Sequence, residues 1–181
     1  MLPQFPYLIT EKRITAQLLL PLSLALFGFI ISINCSYSED QINRPFIHDE
    51  QSYILAADTF LHGRITNPTP ENWEHFQAFH IIMQPTYMSK YPPGQGLQLA
   101  FGKLFGLYLL GVWITIALIG ITLFRLLVNW VSPSIAWLVT FATIINIENI
   151  GWGSTYWGGS LLALAGIIAF GSSLQLLKKP S

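Results

Sequence analysis

Residues 14–33 read ITAQLLLPLSLALFGFIISI, a run of 20 amino acids without a single charged side chain. At 1.5 Å of rise per residue, an α-helix of about 20 residues crosses the roughly 30 Å hydrocarbon core of a bilayer. The run is longer than the roughly 7–15 apolar residues of a cleaved signal peptide, and no small-residue cleavage site follows it. We therefore predict an uncleaved transmembrane helix over residues 14–34.

The composition of the whole chain agrees with that prediction. Of the 181 residues, 52% are hydrophobic and only 10% are charged, against roughly 25% charged residues in typical soluble domains. This composition excludes a disordered chain, and a net charge of zero leaves no basic field for nucleic acid. The single cysteine, Cys35, excludes an intramolecular disulfide framework and a cysteine-rich zinc module.

Three further apolar segments, at residues 107–127, 134–147 and 158–177, are candidates for additional spans. The sequence thus predicts an all-α membrane protein with about four transmembrane helices. Residues 1–13 would form a cytoplasmic N-terminus, and residues 178–181 a short cytoplasmic tail.

Basic residues near the ends of these spans predict the orientation. They are Lys12, Arg13, Arg125, Lys178 and Lys179. Four alternating spans place all five on one side of the membrane, which the positive-inside rule makes cytoplasmic. We therefore expect a multi-pass protein of the inner (cytoplasmic) membrane with both termini in the cytoplasm. The segment 35–106 would then be an extracytoplasmic loop.

The loop at 35–106 holds most of the polar chemistry of the chain. It contains seven of the nine acidic residues and all four histidines. Loops of this length in compact proteins are usually functional. We predict two short helices at the membrane surface, one over 49–62 that begins at Asp49 and one over 70–83 with Thr69 as its N-cap.

Three sites in this loop carry charges in fixed local settings. Asp49 and Glu50 begin the first predicted helix, where Asp49 could be a simple N-cap and Glu50 a partner of the helix dipole. A cap can also be catalytic, because a helix start holds a carboxylate rigidly. Lys90 precedes a stiff Pro-Pro-Gly turn, although a lysine near a membrane is often a snorkelling anchor. Arg64 is either a third fixed charge or a solvated turn residue.

The histidines allow two interpretations. They are His48, His62, His75 and His80. Together with Asp49 they could form a divalent metal site, for which His48 and Asp49 are the candidate ligands. Because no pair has the spacing of a helical metal motif, hydrogen-bonded interfacial histidines are the favoured interpretation.

Two features beyond the loop, a group of aromatic residues and one glutamate, can be interpreted from their positions near the ends of spans. Trp152, Tyr156 and Trp157 are typical of an aromatic belt at the membrane interface. Glu148 ends the short third span, where exposure to lipid would be costly, so we expect it to face the outer compartment.

Three motifs in order give the loop a family resemblance. D-E-x-x-Y-x-x-A-A-x-x-F-x-x-G covers residues 49–63, K-x-P-P-G covers 90–94, and K-L-F-G covers 103–106. With the preceding span, this order resembles the GT-C membrane glycosyltransferases, and more closely the bacterial branch related to protein O-mannosyltransferases and the lipid A aminoarabinose transferase. The resemblance extends over about residues 14–130.

The resemblance implies an inverting transfer of a sugar from a polyprenyl-phosphate donor to an acceptor on the outer face. It implies catalytic roles for Asp49 and Glu50. We assign substrate or phosphate binding to Lys90, Arg64, Tyr91 and His80. A divalent metal ion is a further candidate component of the site. Lys90, with Arg64 or a bound cation as further candidates, would neutralise the phosphate leaving group, while one carboxylate would serve as base.

The family's full-length members have many more spans, so we expect this chain to be an N-terminal module that is incomplete alone. A missing C-terminal part or a partner subunit would then complete it. A different class of function is also open, namely a non-catalytic membrane subunit that binds a lipid-linked glycan or a partner protein. A transporter fragment fits less well, because no span carries paired ionisable residues at mid-membrane depth.

Overall fold

A computed structural model of the chain describes residues 11–42 and 44–178. Within these residues the protein is predominantly α-helical, with very little sheet. The six helices are α1 (Glu11–Ser38), α2 (His48–Leu61), α3 (Pro93–Leu104), α4 (Leu109–Leu127), α5 (Pro133–Asn149) and α6 (Gly159–Lys178). Residues 1–10 of the predicted cytoplasmic N-terminus and residues 179–181 of the predicted tail lie outside the described residues.

Three helices are long and apolar enough to cross a membrane, namely Gln17–Ser38, Leu109–Leu127 and Gly159–Leu177. They overlap three of the four predicted spans, and they indicate association with a membrane. The remaining predicted span, at residues 134–147, corresponds to α5, which has 17 residues. At 1.5 Å per residue, α5 is about 25 Å long, slightly less than the thickness of a typical hydrocarbon core.

α1 and α4 form the central antiparallel pair of the bundle. Near one end of the pair, the Trp113 indole N–H donates to Ser36 Oγ at 3.0 Å. Further along, Gly120 lies so close to Leu24 that a Cβ at this position would be 3.0 Å from the Leu24 carbonyl carbon. A larger residue here would require the two backbones to move apart by a few tenths of an ångström, so Gly120 favours their close approach.

α5 and α6 complete the bundle in alternating directions. α5 runs parallel to α1, because Trp137 donates to Ser23 at 3.0 Å and Glu148 accepts from Ser32 at 2.5 Å. α6 runs parallel to α4, and the rings of Trp130 and Phe170 lie 6.3 Å apart near the ends of the two helices. We call the end that carries the starts of α1 and α5 the basic end, because Arg125 of α4 lies there. The opposite end is the loop end.

α2 and α3 pack against each other at the loop end. Gly96 of α3 sits against Ala56 of α2, and the Tyr108 hydroxyl just before α4 donates to Asp58 at 2.5 Å. On the other side of α3, Gln98 donates to Thr115 of α4 at 2.5 Å. The two loop helices are therefore fixed to the bundle by buried polar contacts as well as by apolar packing.

The prediction for the first loop helix is close, since α2 is offset by one residue from the predicted range 49–62. The second helix, predicted over 70–83, is wrong. This segment contains only a 3-10 turn at Trp73–Phe76 and then a two-residue strand, β1 (Ile81–Ile82). β1 pairs antiparallel with β2 (Met88–Ser89).

Local geometry explains that error. Asn72 adopts a left-handed conformation with φ of 55°, which no α-helix continues through. The Thr69 hydroxyl, predicted to cap the helix, instead donates to the Met83 carbonyl at 2.8 Å and ties the segment back on itself. Phe76 and Phe79 are three residues apart, as on one face of a helix, but they are 64% and 79% exposed. The second helix of the loop is α3.

Candidate functional site

The first turn of α2 carries the predicted carboxylates. Its N-cap is Ile47 in an extended conformation, and no side chain caps the helix there. Asp49 and Glu50 therefore lie inside the first turn, which corrects the interpretation of Asp49 as an N-cap. Negative side chains in this turn interact favourably with the positive end of the helix dipole.

Asp49 belongs to a small cluster of polar side chains that reaches the surface. His80 Nε2 lies 3.0 Å from Asp49 Oδ1, and the two side chains are 22% and 36% exposed. The other ring nitrogen of His80, Nδ1, is hydrogen bonded to the Tyr91 hydroxyl. The Asp49 carboxylate also lies near the Tyr91 hydroxyl and acts on it electrostatically. We call Asp49, His80 and Tyr91 the outer cluster.

The β-hairpin holds His80 and Tyr91 in place against α2. The Ser52 hydroxyl of α2 donates to the His80 carbonyl at 2.7 Å, and the Lys90 backbone N–H donates to the same carbonyl at 3.1 Å. The Ser89 hydroxyl lies 2.7 Å from that of Ser52 and accepts from the Tyr91 backbone N–H at 3.2 Å. The outer cluster is therefore positioned by a buried hydroxyl pair beneath it.

Tyr91 remains a hydrogen-bond donor over the whole physiological range. Partial burial, and then the neighbouring Asp49 carboxylate, raise the pKa of Tyr91 to about 12. The ring of Tyr53 stacks on that of Tyr91 with centroids 4.7 Å apart. Burial and the charge of Asp49 also raise the pKa of Tyr53. Both phenols therefore stay neutral beside the carboxylate.

Lys90 places a positive charge next to the outer cluster. Its ammonium lies 4.3 Å from the centroid of the Phe79 ring and 3.4 Å from the Phe79 carbonyl oxygen. Within the part of the chain that the structure describes, no carboxylate forms an ion pair with it. The charge is thus exposed and open to an anionic ligand.

Glu50 faces away from the outer cluster. Its side chain is only 3% exposed. Oε2 accepts from the Phe46 backbone N–H at 2.7 Å, and Oε1 accepts from the Tyr156 backbone N–H at 3.3 Å. The predicted carboxylate pair is therefore split between two environments. Glu50 joins the start of α2 to the α5–α6 connection.

Arg64 is distant from the outer cluster. It follows the C-terminal end of α2, where its backbone N–H donates to the Thr59 carbonyl at 3.1 Å. α2 has 14 residues, so its two ends are about 20 Å apart at 1.5 Å per residue. Of the four predicted substrate-binding residues, the structure brings Lys90, Tyr91 and His80 close to Asp49 and leaves Arg64 apart.

The structure brings few potential metal ligands together near the predicted site. Among the residues that the structure describes, no group of three His, Cys, Asp or Glu side chains could hold a metal ion. His48 and His80 stack with centroids 6.5 Å apart, and both ring nitrogens of His80 already have partners. His48 and Asp49, the two predicted ligands, are neighbours in the first turn of α2.

Two predictions for the α5–α6 region are corrected. Tyr156 does not join an interface belt, because it is 1% exposed and its hydroxyl donates to the carbonyls of Gln41 and Ile42, each at 3.0 Å. Glu148 does not face the outer compartment. It is 6% exposed, because α5 runs alongside α1 and directs its last turn at Ser32.

Sequence reasoning also missed the residues that support the site. Ser52 and Ser89 have no motif to mark them, and their pairing depends on the hairpin. Tyr53 stands in the D-E-x-x-Y motif, so its place in that motif beside the acidic pair was the one available signal. No protein-family model, curated protein or solved structure matches this chain.

Proposed function

We propose that this chain is the N-terminal module of an integral-membrane inverting glycosyltransferase. It would move a sugar from a polyprenyl-phosphate donor to an acceptor outside the cytoplasm. The observation that carries the proposal is the outer cluster, in which a half-exposed Asp49 carboxylate is oriented by His80 and Tyr91. The free ammonium of Lys90 stands next to it.

The chemistry follows from these groups. The acceptor hydroxyl oxygen attacks the anomeric carbon, and the bond from that carbon to the phosphate oxygen breaks. Asp49 accepts the hydroxyl proton as general base, and the polyprenyl phosphate leaves with the bonding electron pair. Lys90 neutralises the charge that develops on the phosphate. A single displacement of this kind inverts the anomeric centre.

His80 and Tyr91 have a positioning role in this scheme. His80 contacts the carboxylate, and Tyr91 fixes the ring of His80 through its other nitrogen. A fixed orientation accounts for much of the efficiency of general-base catalysis. Glu50 takes no part in the proton transfer, because both of its oxygens accept from backbone N–H groups. A single carboxylate is sufficient, since the phosphate leaves without protonation.

The proposal includes a membrane arrangement in which α5 is the third of four spans. The alternating directions of α1, α4, α5 and α6 support it. The basic end would face the cytoplasm by the positive-inside rule. The outer cluster would then lie on the extracytoplasmic side of the inner membrane, where a lipid-linked sugar and its acceptor can meet. Further spans or a partner subunit would supply the rest of the donor site.

The test is a transfer assay on the complete gene product with a polyprenyl-phosphate sugar. We expect Asp49→Asn to lower the rate about 100- to 10,000-fold, the usual contribution of a general base. Asp40→Asn is the matched control, because Asp40 lies in the same loop but forms an exposed pair with Arg44 at 72% exposure of both side chains. Transfer by Asp49→Asn near the wild-type rate would refute the role of Asp49.

A non-catalytic subunit that binds a lipid-linked glycan or a partner protein is the second candidate. It is favoured by the exposed apolar side chains of the outer loop, since Ile65 and Phe79 are each 79% exposed. If the chain is such a subunit, Asp49→Asn should change complex formation or retention of the lipid-linked glycan. Neither the wild type nor Asp49→Asn would then transfer a sugar, with or without added divalent cations.

A further inference from the structure

A groove of about 240 Å³ lies between α4 and α6 at the basic end, far from the outer cluster. Its walls are formed by one face of each helix. The lining residues are Thr122, Arg125, Leu126, Asn129, Trp130, Ile167, Ile168, Gly171, Ser172, Leu174 and Gln175. Because α4 and α6 are both candidate membrane spans, a groove between them opens toward lipid.

The groove changes character along its length. Both helices run toward the basic end, so residues with higher numbers lie nearer to that end. The deeper part is lined by Ile167 and Ile168, whereas Arg125, Trp130 and Gln175 line the part near the basic end. An apolar base with hydrogen-bond donors at its mouth has the polarity of a phospholipid, with its acyl chain inside and its headgroup at the surface.

The charge at the mouth of the groove favours an anion. No acidic residue lines the groove, and Arg125 forms no ion pair with any side chain that the structure describes. The first residues of α1 and the last residue of α6 add Lys12, Arg13 and Lys178 to the sequence at the basic end, against one acid, Glu11. The other eight acids of the chain belong to the loop end.

Gly171 leaves the floor of the groove open. A Cβ at this position would lie 3.4 Å from Leu126 Cδ1, so any larger side chain would begin to fill the space. The groove volume is below the roughly 300–1,000 Å³ of pockets that enclose a whole drug-sized ligand. It fits a phosphodiester and the upper part of one acyl chain.

We propose that this groove is a binding site for one anionic phospholipid. The Arg125 guanidinium binds the phosphodiester, the Trp130 and Gln175 N–H groups lie beside the headgroup, and one acyl chain packs on Ile167 and Ile168. Arginine is suited to this role because its planar fork binds two phosphate oxygens at once. The site is independent of the outer cluster and of the proposed transfer reaction.

Native mass spectrometry of the whole chain tests the proposal. The protein is released from detergent in the presence of equal amounts of phosphatidylglycerol and phosphatidylcholine with the same acyl chains. Since one basic residue near an anionic lipid is worth about 1 kcal/mol, we expect roughly fivefold more of the singly bound phosphatidylglycerol complex. Arg125→Gln should bring this ratio close to one.

Two further variants separate the site from general charge effects. Arg64→Gln removes an exposed arginine at the opposite end of the molecule and should leave the ratio unchanged. Ser172→Phe fills the groove from an exposed position on α6 while Arg125 is retained, and it should reduce retention of both lipids. Equal retention of the two lipids by the wild type would overturn the proposal. So would an unchanged ratio in Arg125→Gln, or a dimer that binds no lipid at this groove.

Discussion

Two neighbouring carboxylates at the start of α2 lie in opposite kinds of environment. Asp49 faces the β-hairpin, where its side chain is 36% exposed and contacts the ring of His80. Glu50 faces the α5–α6 connection, where it is 3% exposed and accepts from two backbone N–H groups. The two residues are adjacent in sequence, so the difference comes entirely from the direction in which the helix points them.

The chemical nature of the partners separates the two roles. Backbone N–H groups are fixed donors that neither titrate nor move away, so the carboxylate they bind serves as an anchor between segments. The partners of Asp49 are side chains at the surface, and a substrate hydroxyl can reach the same carboxylate. We therefore regard the Glu50 side of α2 as structural and the Asp49 side as the side where chemistry takes place.

The strongest test of this distinction is the loss of stability on truncation. Glu50→Ala leaves the Phe46 and Tyr156 N–H groups without their acceptor in a buried region. A buried unsatisfied polar group costs about 1–3 kcal/mol, so we expect a loss of about 2–4 kcal/mol in the free energy of unfolding. The measurement is denaturant unfolding in detergent micelles, followed by circular dichroism.

Asp49→Ala is the matched comparison, because it removes a carboxylate one residue away. Its partners can be solvated after truncation, so we expect a loss below about 1 kcal/mol. Glu50→Gln retains one carbonyl oxygen as acceptor, so its loss in free energy of unfolding should lie between those of Asp49→Ala and Glu50→Ala. If Asp49→Ala and Glu50→Ala destabilised the protein equally, the assignment of separate roles would be wrong.

A second test concerns the cation on the Asp49 side. If Lys90 binds the donor phosphate, Lys90→Gln removes a charged hydrogen bond worth about 1.5–3 kcal/mol. We then expect kcat/KM for the lipid-linked donor to fall about 10- to 100-fold. Lys90→Arg should recover most of the loss, because it restores a positive charge beside Phe79.

Arg64→Gln is the control for this experiment. Arg64 lies about 20 Å from Asp49 along α2, too far to contact the same phosphate. Transfer by this variant should stay within about twofold of the wild type. A larger loss in Arg64→Gln than in Lys90→Gln would show that the donor phosphate binds elsewhere on the loop.

The spans could be predicted from sequence because hydropathy and length are local properties. The predicted segment 107–127 and the helix Leu109–Leu127 differ by only two residues at one end. The helix at 70–83 could not be predicted correctly, because aromatic residues at helical spacing also occur in an irregular exposed segment. The left-handed residue Asn72 and the tie between Thr69 and Met83 exist only in the folded loop.

In the candidate site, too, some features could be predicted from the sequence and others could not. Asp49, Lys90 and Tyr91 lie within two of the sequence motifs, and His80 is a predicted substrate-binding residue outside them. The structure brings the four residues together. The role of Glu50 could not be read in this way, because its partner Tyr156 is 106 residues away along the chain. A contact of that separation leaves no periodicity or spacing in a single sequence.

The third test, with the smallest expected effect, examines the Glu50 side through Tyr156. Burial and then the charge of Glu50 raise the pKa of Tyr156 to about 12, above the roughly 10 of an unfolded tyrosine. The folded state therefore holds this proton more tightly, and its stabilising contribution is complete below pH 10 and is lost as the pH rises through 12. Tyr156→Phe removes a hydroxyl that donates to Gln41 and Ile42, so we expect the free energy of unfolding to fall by about 1 kcal/mol at pH 7.

Between pH 10 and 12 the difference in the free energy of unfolding between the wild type and Tyr156→Phe should narrow, because only the wild type loses the Tyr156 contribution. Unfolding midpoints measured at pH 7, 10 and 11 give this comparison. A constant difference in stability between the two proteins across that range would mean that the fold does not raise the pKa of Tyr156.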